Sequence, residues 1–213
     1  ADCAQQIELC LLDDLGKRLQ CRRGAGGVTL DNLGLAAGEW GVSVGRGKEF
    51  AYELILAAGE PITPGQELEP NETLESASAV PAKNRIKGTF SGGDSDTDYF
   101  RFTLSDAEPQ LWRFQAVGDG LQAIYYYDAS GRALQEFRAA NDQRRLRLEN
   151  VFLLPGVHHV AVRGRSGGSY TLLARPLGPP DPNGELEPND DDTRVQPLHL
   201  GQTRTGLLQD RGD

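Results

Sequence analysis

In the stretch Tyr99-Phe100-Arg101-Phe102-Thr103-Leu104 every second residue, Phe100, Phe102 and Leu104, is strongly apolar. Successive strand residues point to opposite faces, so these three share one face while Tyr99, Arg101 and Thr103 share the other. That is the pattern of a half-buried strand. Outward from it, β-rich runs recur at intervals of roughly ten residues, at Leu111 to Val117, Ala123 to Tyr127, Arg145 to Leu148, His158 to Arg163 and Ser169 to Ala174. Glycine-bearing turns stand between them, among them Gly118-Asp119-Gly120, Asp128-Ala129-Ser130-Gly131 and Leu154-Pro155-Gly156. Short strands at even spacing with turn signals between them predict an all-β sandwich. A helical turn is expected over Asn71 to Ala79, and no long amphipathic helix is visible.

This strand-rich region is framed by a repeat. Glu-Leu-Glu-Pro-Asn occurs at Glu67 to Asn71 and again at Glu185 to Asn189, an offset of 185 − 67 = 118 residues. The same offset superposes Leu30-Asp31-Asn32-Leu33 on Leu148-Glu149-Asn150-Val151, Gly38 on Gly156, Val42 and Val44 on Val160 and Val162, Tyr52 on Tyr170, and Gly88 on Gly206. Asp13-x-x-Gly16 matches Asp128-x-x-Gly131 at 128 − 13 = 115, which places a three-residue difference in the loop between. A period of this length suits a string of domains rather than solenoid units. The frame predicts that 1–60 is the C-terminal part of a first β-sandwich repeat, 65–177 a complete repeat, and 184–213 the N-terminal part of a third. Pro61 to Pro64 and Leu177 to Asn183 read as proline-stiffened linkers.

The net charge of −9 over 213 residues excludes the basic stripe expected of a nucleic-acid binder. No stretch approaches the ~20 apolar residues of a membrane span, so direct membrane insertion is not expected. Nothing at Ala1 resembles a signal peptide, and because the frame starts within a unit any export signal is expected upstream. The cysteines, Cys3, Cys10 and Cys21, all precede residue 60. Counting outward from the turn Asp14-Leu15-Gly16-Lys17 sets Cys10 opposite Cys21, where a disulfide is geometrically feasible and would require an oxidising compartment. Two buried free thiols are the alternative. The spacing fits no zinc template.

Acidic residues concentrate in two places. Glu67, Glu69, Asn71 and Glu72 open the complete unit, and Asp94, Asp96 and Asp98 precede its first strong strand. In extended backbone Glu67, Glu69 and Asn71 project to one side, as do the three aspartates. Calcium takes about 6 to 8 oxygen ligands, and two oxygen-rich segments feeding one sandwich would supply them. Acidic runs beside turns are ordinarily solvated loops, but Glu185, Glu187, Asn189 and Asp190, and then Asp210 and Asp213, repeat the arrangement in the third unit. The EF-hand reading fails, since the required glycine, the final glutamate and the flanking helices are missing.

Taken in order, Glu-Leu-Glu-Pro-Asn-Glu-Thr, Gly88-x-Phe90, Asp96-x-Asp98-Tyr99-Phe100-Arg101-Phe102, Asp128-x-x-Gly131, Leu153-x-x-Gly156 and Ser169-Tyr170-Thr171-Leu172 resemble the bacterial pre-peptidase C-terminal domain. That family is related to the collagen-binding modules of clostridial collagenases. The resemblance implies tandem jelly-roll-like β-sandwich domains appended to secreted enzymes or built into surface proteins. It also implies calcium, with Glu67, Glu69, Asn71, Glu72, Asp96 and Asp98 as ligands and Asp94 beside them. Glu72 departs from the Asn or Asp common at its position. The aromatic surface residues of collagen binders have no identifiable match here.

Other motifs carry less. His158 and His159 are adjacent on a strand, point to opposite faces and are expected to be structural. Arg211-Gly212-Asp213 falls at the start of a second Asp-rich loop rather than standing as an adhesion motif. Tyr125-Tyr126-Tyr127 is expected to serve mainly in packing. No nucleophile elbow, metalloprotease helix or phosphate loop is present, and the acid pairs Asp13-Asp14 and Asp190-Asp191-Asp192 fall where they would be solvated. The expected function is a non-catalytic, calcium-stabilised module of a larger secreted, periplasmic or cell-surface bacterial protein, acting as spacer or adhesion surface. An accessory domain of a secreted peptidase or other hydrolase is the alternative. The expected partners are other domains of the same polypeptide and an extracellular polymer or protein.

Overall fold

The computed structural model describes residues 6–45, 51–59, 61, 63–81, 84–91, 95–104, 109–141, 143–189 and 192–208. Among them, twelve strands form three sheets and no helix occurs. Strands β1 (Gln6–Leu12), β2 (Arg18–Ala25) and β3 (Gly41–Gly45) form a three-stranded sheet in the order β2-β1-β3. The remainder is a sandwich. One layer is β10 (Arg145–Leu153), β7 (Gln110–Gly118), β12 (Ser169–Gly178) and β5 (Arg85–Thr89), in that order. The other is β4 (Ser78–Ala79), β6 (Asp96–Leu104), β11 (Gly156–Gly164), β8 (Leu121–Tyr127) and β9 (Ala133–Arg138).

Period-two alternation builds the core between these layers. Phe100 and Phe102 of β6 are buried while Arg101 and Thr103 are exposed, and β7 buries Trp112, Phe114 and Ala116 in the same rhythm. Phe102 meets Trp112 edge-on with ring centroids 4.7 Å apart, and Phe90 stacks on Tyr170 at 4.6 Å. Each such side chain contributes roughly 1.5–3 kcal/mol by burial, with an aromatic contact adding about 0.5–1.5.

Parts of the first sheet are built like parts of the sandwich. β1 and β2 join through a turn in which Asp13 Oδ1 accepts from Leu15 N–H (3.0 Å) and Lys17 N–H (2.8 Å). β8 and β9 join through a turn in which Asp128 Oδ1 accepts from Ser130 N–H (2.8 Å) and Arg132 N–H (3.0 Å). The order β2-β1-β3 recurs as β9-β8-β11. A disulfide links Cys10 to Cys21 across β1 and β2, at the facing positions expected from the turn between them. It occupies the register at which β8 and β9 pair Tyr125 with Glu136.

Some elements differ from the sequence reading. Residues 71–79 form no helical turn; Thr73 and Ser76 exchange side-chain and backbone hydrogen bonds, which hold a bend, and β4 then pairs parallel to β6. β5 and β9 are strands that the sequence did not announce. β10 continues past Leu148 through a bulge in which Asn150 takes φ 54°. Tyr52, the repeat counterpart of Tyr170, is 60 % exposed on irregular backbone, whereas Tyr170 is buried in β12 between β7 and β5.

Candidate metal centre

The acidic segment Gln66–Asn71 is extended and held from both sides. Gln66 bridges Lys87 of β5, Glu67 N–H donates to Lys87 O (2.9 Å), and Lys87 N–H donates to Gly65 O (2.7 Å). Two residues on, Glu69 N–H donates to Asn32 O (2.9 Å) and Gly34 N–H to Glu69 O (2.7 Å). Pinned in this way, the segment turns Glu67, Glu69 and Asn71 into the molecule. The first two residues of β6 that share the Phe100 face, Asp96 and Asp98, meet them there. All five side chains are at most 4 % exposed. Carboxylate oxygens of Glu69, Asp96 and Asp98 lie within 4.8 Å of one another.

Donors anchor the outer faces of these carboxylates. Thr89 N–H donates to Glu67 Oε1, Ser91 N–H to Asp96 Oδ2 (2.5 Å), Ser91 Oγ–H to Glu69 Oε1 (3.1 Å), and Asn71 N–H to Glu69 Oε2 (3.1 Å). Gly88 makes room for this, since a Cβ there would overlap Glu67 Oε2 and the Tyr170 ring. The Tyr170 hydroxyl lies 3.1 Å from Glu67 Oε2 and 2.5 Å from Asp98 Oδ2. A phenol carries a single proton, so the Tyr170 hydroxyl shares one donor between the two carboxylates, with Asp98 the nearer acceptor.

The electrostatics are those of crowded anions. Burial first, then the neighbouring acids Glu72 and Asp96, pushes Glu69 up to about 7. Burial and then Asp96 push Glu72, which is half-buried at the edge of the cluster, up to about 7. Glu67 and Asp98 are raised as well, by burial foremost and by like charge from Glu69 and Glu67 respectively. Asp98 has the strongest upward shift among these acids, with burial its largest cause, even though the hydrogen bond it accepts from Tyr170 acts to lower it. The Asn71 side-chain oxygen lies 3.2 Å from both Asp98 Oδ1 and Glu69 Oε2. Three oxygens so placed repel unless the amide turns its nitrogen inward or a cation stands among them.

Of the residues expected from sequence, Glu67, Glu69, Asn71, Asp96 and Asp98 come together, with Glu72 at their edge. Glu185, Glu187 and Asn189 lie on a second segment, away from this cluster, that reproduces its local bonding. Leu207 N–H donates to Glu185 Oε1 and Asn189 N–H donates to Glu187 Oε2 (3.1 Å). Asp94, Asp190, Asp210 and Asp213, with Cys3 and Arg211-Gly212-Asp213, lie outside the described residues. Sequence reasoning missed Tyr170 and Ser91 as site residues. It also missed Gln20 of β2, whose buried Nε2 donates to Ser91 Oγ (3.0 Å) and whose Oε1 is buried without a partner. The repeat had flagged Tyr170, but not its partners.

His158 and the tyrosine run make contacts within the sandwich. His158 Nδ1 lies 2.9 Å from Tyr126 Oη, and its Nε2 lies 2.8 Å from Leu154 O. Tyr126 is buried, and Tyr125 and Tyr127, half-buried, pack on each other with ring centroids 5.9 Å apart.

No family model and no curated protein matches the chain. Among solved structures, the chain is similar to the pre-peptidase C-terminal domain of collagenase from Bacillus anthracis, with 19% identity and a TM-score of 0.36. The match covers 50% of this chain and 98% of that one.

Proposed function

We propose that residues 65–177 are a non-catalytic β-sandwich module, stabilised by calcium and repeated within a larger secreted or cell-surface protein, where it serves as spacer or adhesion surface. The observation that carries this reading is the burial of four carboxylates and one carboxamide, each at most 4 % exposed, in one cluster. Burying like charges is costly unless they are paired, protonated or bound to metal. An all-oxygen donor set, with no histidine or cysteine in it, suits a hard cation, and the number of carboxylates favours calcium over magnesium, which keeps most of its water. Glu67, Glu69, Asn71, Asp96 and Asp98 would hold the ion, with Glu72 closing the edge. The bound ion would supply counter-charge and a crosslink between the acidic segment and β6. The chain's own contribution is to hold the carboxylates apart and aimed, through Thr89, Ser91 and Tyr170.

The Cys10–Cys21 disulfide supports an oxidising location, and secretion, the periplasm or the bacterial cell surface are the compartments that fit. No helix among the described residues is long and apolar enough to cross a membrane. The partners that fit are neighbouring domains of the same polypeptide and an extracellular protein or polymer; the acidic net charge of −9 disfavours nucleic acid.

A melting curve of the full chain in excess calcium and in chelator tests the reading. At 100 times the dissociation constant a ligand specific for the folded state adds ~2.7 kcal/mol, which raises the melting temperature by several degrees. Coincident curves would remove the ion from the account.

A further inference from the structure

One backbone contact is made twice in this chain, at a spacing of 118 residues. Leu33 bridges Glu69 in parallel, with Glu69 N–H donating to Asn32 O (2.9 Å) and Gly34 N–H to Glu69 O (2.7 Å). Val151 bridges Glu187 in parallel, with Glu187 N–H donating to Asn150 O (3.3 Å) and Phe152 N–H to Glu187 O (2.7 Å). Each residue of the second set is the first plus 118: 32, 33, 34 and 69 become 150, 151, 152 and 187. The asparagine is left-handed in both, at φ 58° for Asn32 and 54° for Asn150.

Local geometry explains why the contact forms there. β10 is an outer strand of its sheet, so its free edge presents N–H and C=O groups that seek partners. The bulge at Asn150 redirects that edge, and the side away from β7 is where Glu187 is received. At the first junction the fit includes side chains. Gln66 Nε2 donates to Asn32 Oδ1 (3.0 Å), and Gly34 lies so close to Leu68 that an added Cβ would stand 2.9 Å from the leucine Cβ. Two clefts of about 520 Å³ border this junction, one lined by Asn32, Gln66 and Thr171 and the other by Thr29, Asn32 and Ser169. Backbone pairing and side-chain contacts, among them Gln66 with Asn32 and Gln20 with Ser91, join the two parts.

We propose that the backbone just after the left-handed asparagine is a socket for the Glu-Leu-Glu-Pro segment of the unit that follows, and that this strand addition sets a fixed orientation between consecutive units. A head-to-tail contact repeated without closure generates an open superhelix, so an array of these units is a stiff rod with the same turn at each step. Chain continuity keeps plug and socket at high effective concentration, which lets a small contact hold. The inference goes beyond the calcium reading and does not depend on the ion.

Hydrogen exchange followed by NMR on the full chain tests it at the amides of Gly34, Glu69, Phe152 and Glu187. All four should exchange at least about 100-fold more slowly than unstructured peptide, as amides do when local opening is unfavourable. Phe152→Pro deletes the donor to Glu187 O, and Glu187 should then lose at least about tenfold of its protection while Glu69 and the β11 amides Val160 and Val162 keep theirs. Unprotected junction amides in the parent chain, or full protection of Glu187 in Phe152→Pro, would overturn the proposal. If that variant also exposes Val160 and Val162, Gly34→Ala decides. It lies outside the sandwich and presses on Leu68, so Glu69 should lose protection, and retention would overturn the proposal.

Discussion

The two Glu-Leu-Glu-Pro-Asn segments have the same sequence and share several local bonds, yet among the described residues only the first is joined by further buried carboxylates. Glu69 and Glu187 are each 2 % exposed, and each bridges the residue that follows a left-handed asparagine. Their neighbours part company. Glu67 and Asn71 are fully buried, while Glu185 and Asn189 are half-exposed. The difference lies in what arrives from far along the chain. Asp96, Asp98 and Tyr170 close over the first segment, and the described residues offer no counterpart over the second. The bonds shared by the two segments are thus those of the junction, and the buried acidic cluster forms where β6 and β12 meet the first segment.

The strongest way to break this comparison is to alter one carboxyl on each side. Asp98→Asn should weaken calcium binding at least about 100-fold, equivalent to ~2.7 kcal/mol, whereas Glu187→Gln should leave it within about twofold. Titration calorimetry on both variants reads the contrast, and equal losses would erase it.

The pH dependence sharpens it further. Glu69 and Glu72 are held at about 7 against an ordinary 4.5, so without calcium the folded protein keeps protons that the unfolded chain releases. Stability of the chelator-treated protein therefore falls as pH rises from 4.5 to about 7, the reverse of a salt-bridged carboxylate. Its melting temperature should be several degrees higher at pH 5 than at pH 8. Calcium should remove or invert that slope, because it binds the ionised form. A metal-free protein that melts higher at pH 8 would contradict the crowded-anion description.

The smallest effect separates the two glycines. Gly88→Ala sets a Cβ against Glu67 and the rigid Tyr170 ring and should cost about 1–3 kcal/mol. Gly206→Ala sets a Cβ against the Glu185 carboxylate, which is half-exposed and accepts from Leu207 N–H, and should cost less than Gly88→Ala, about 0.5–1 kcal/mol. Urea denaturation of the two variants checks the ratio.

How much of this was legible in sequence follows from the range of the interactions. The alternation in Tyr99–Leu104 and the register that faces Cys10 with Cys21 are local patterns, and both appear in the fold. The side-sharing of Glu67, Glu69 and Asn71 was legible for the same reason. β5 was hidden because Arg85-Ile86-Lys87-Gly88-Thr89 offers a single large apolar residue and draws its strand character from pairing with β12. β10 past Leu148 was hidden because a left-handed Asn150 reads as a turn, although here it makes a bulge. Tyr170 meets Asp98 across 72 residues and Gln20 meets Ser91 across 71, separations at which spacing in sequence carries no directional information.

Calcium titration of the unmodified chain, followed by calorimetry, bears most directly on the central claim that a complete sandwich, and not the acidic motif alone, makes the ion site. The account predicts one strong site per chain, lost in Asp98→Asn. Two equivalent sites, or none at all, would contradict it.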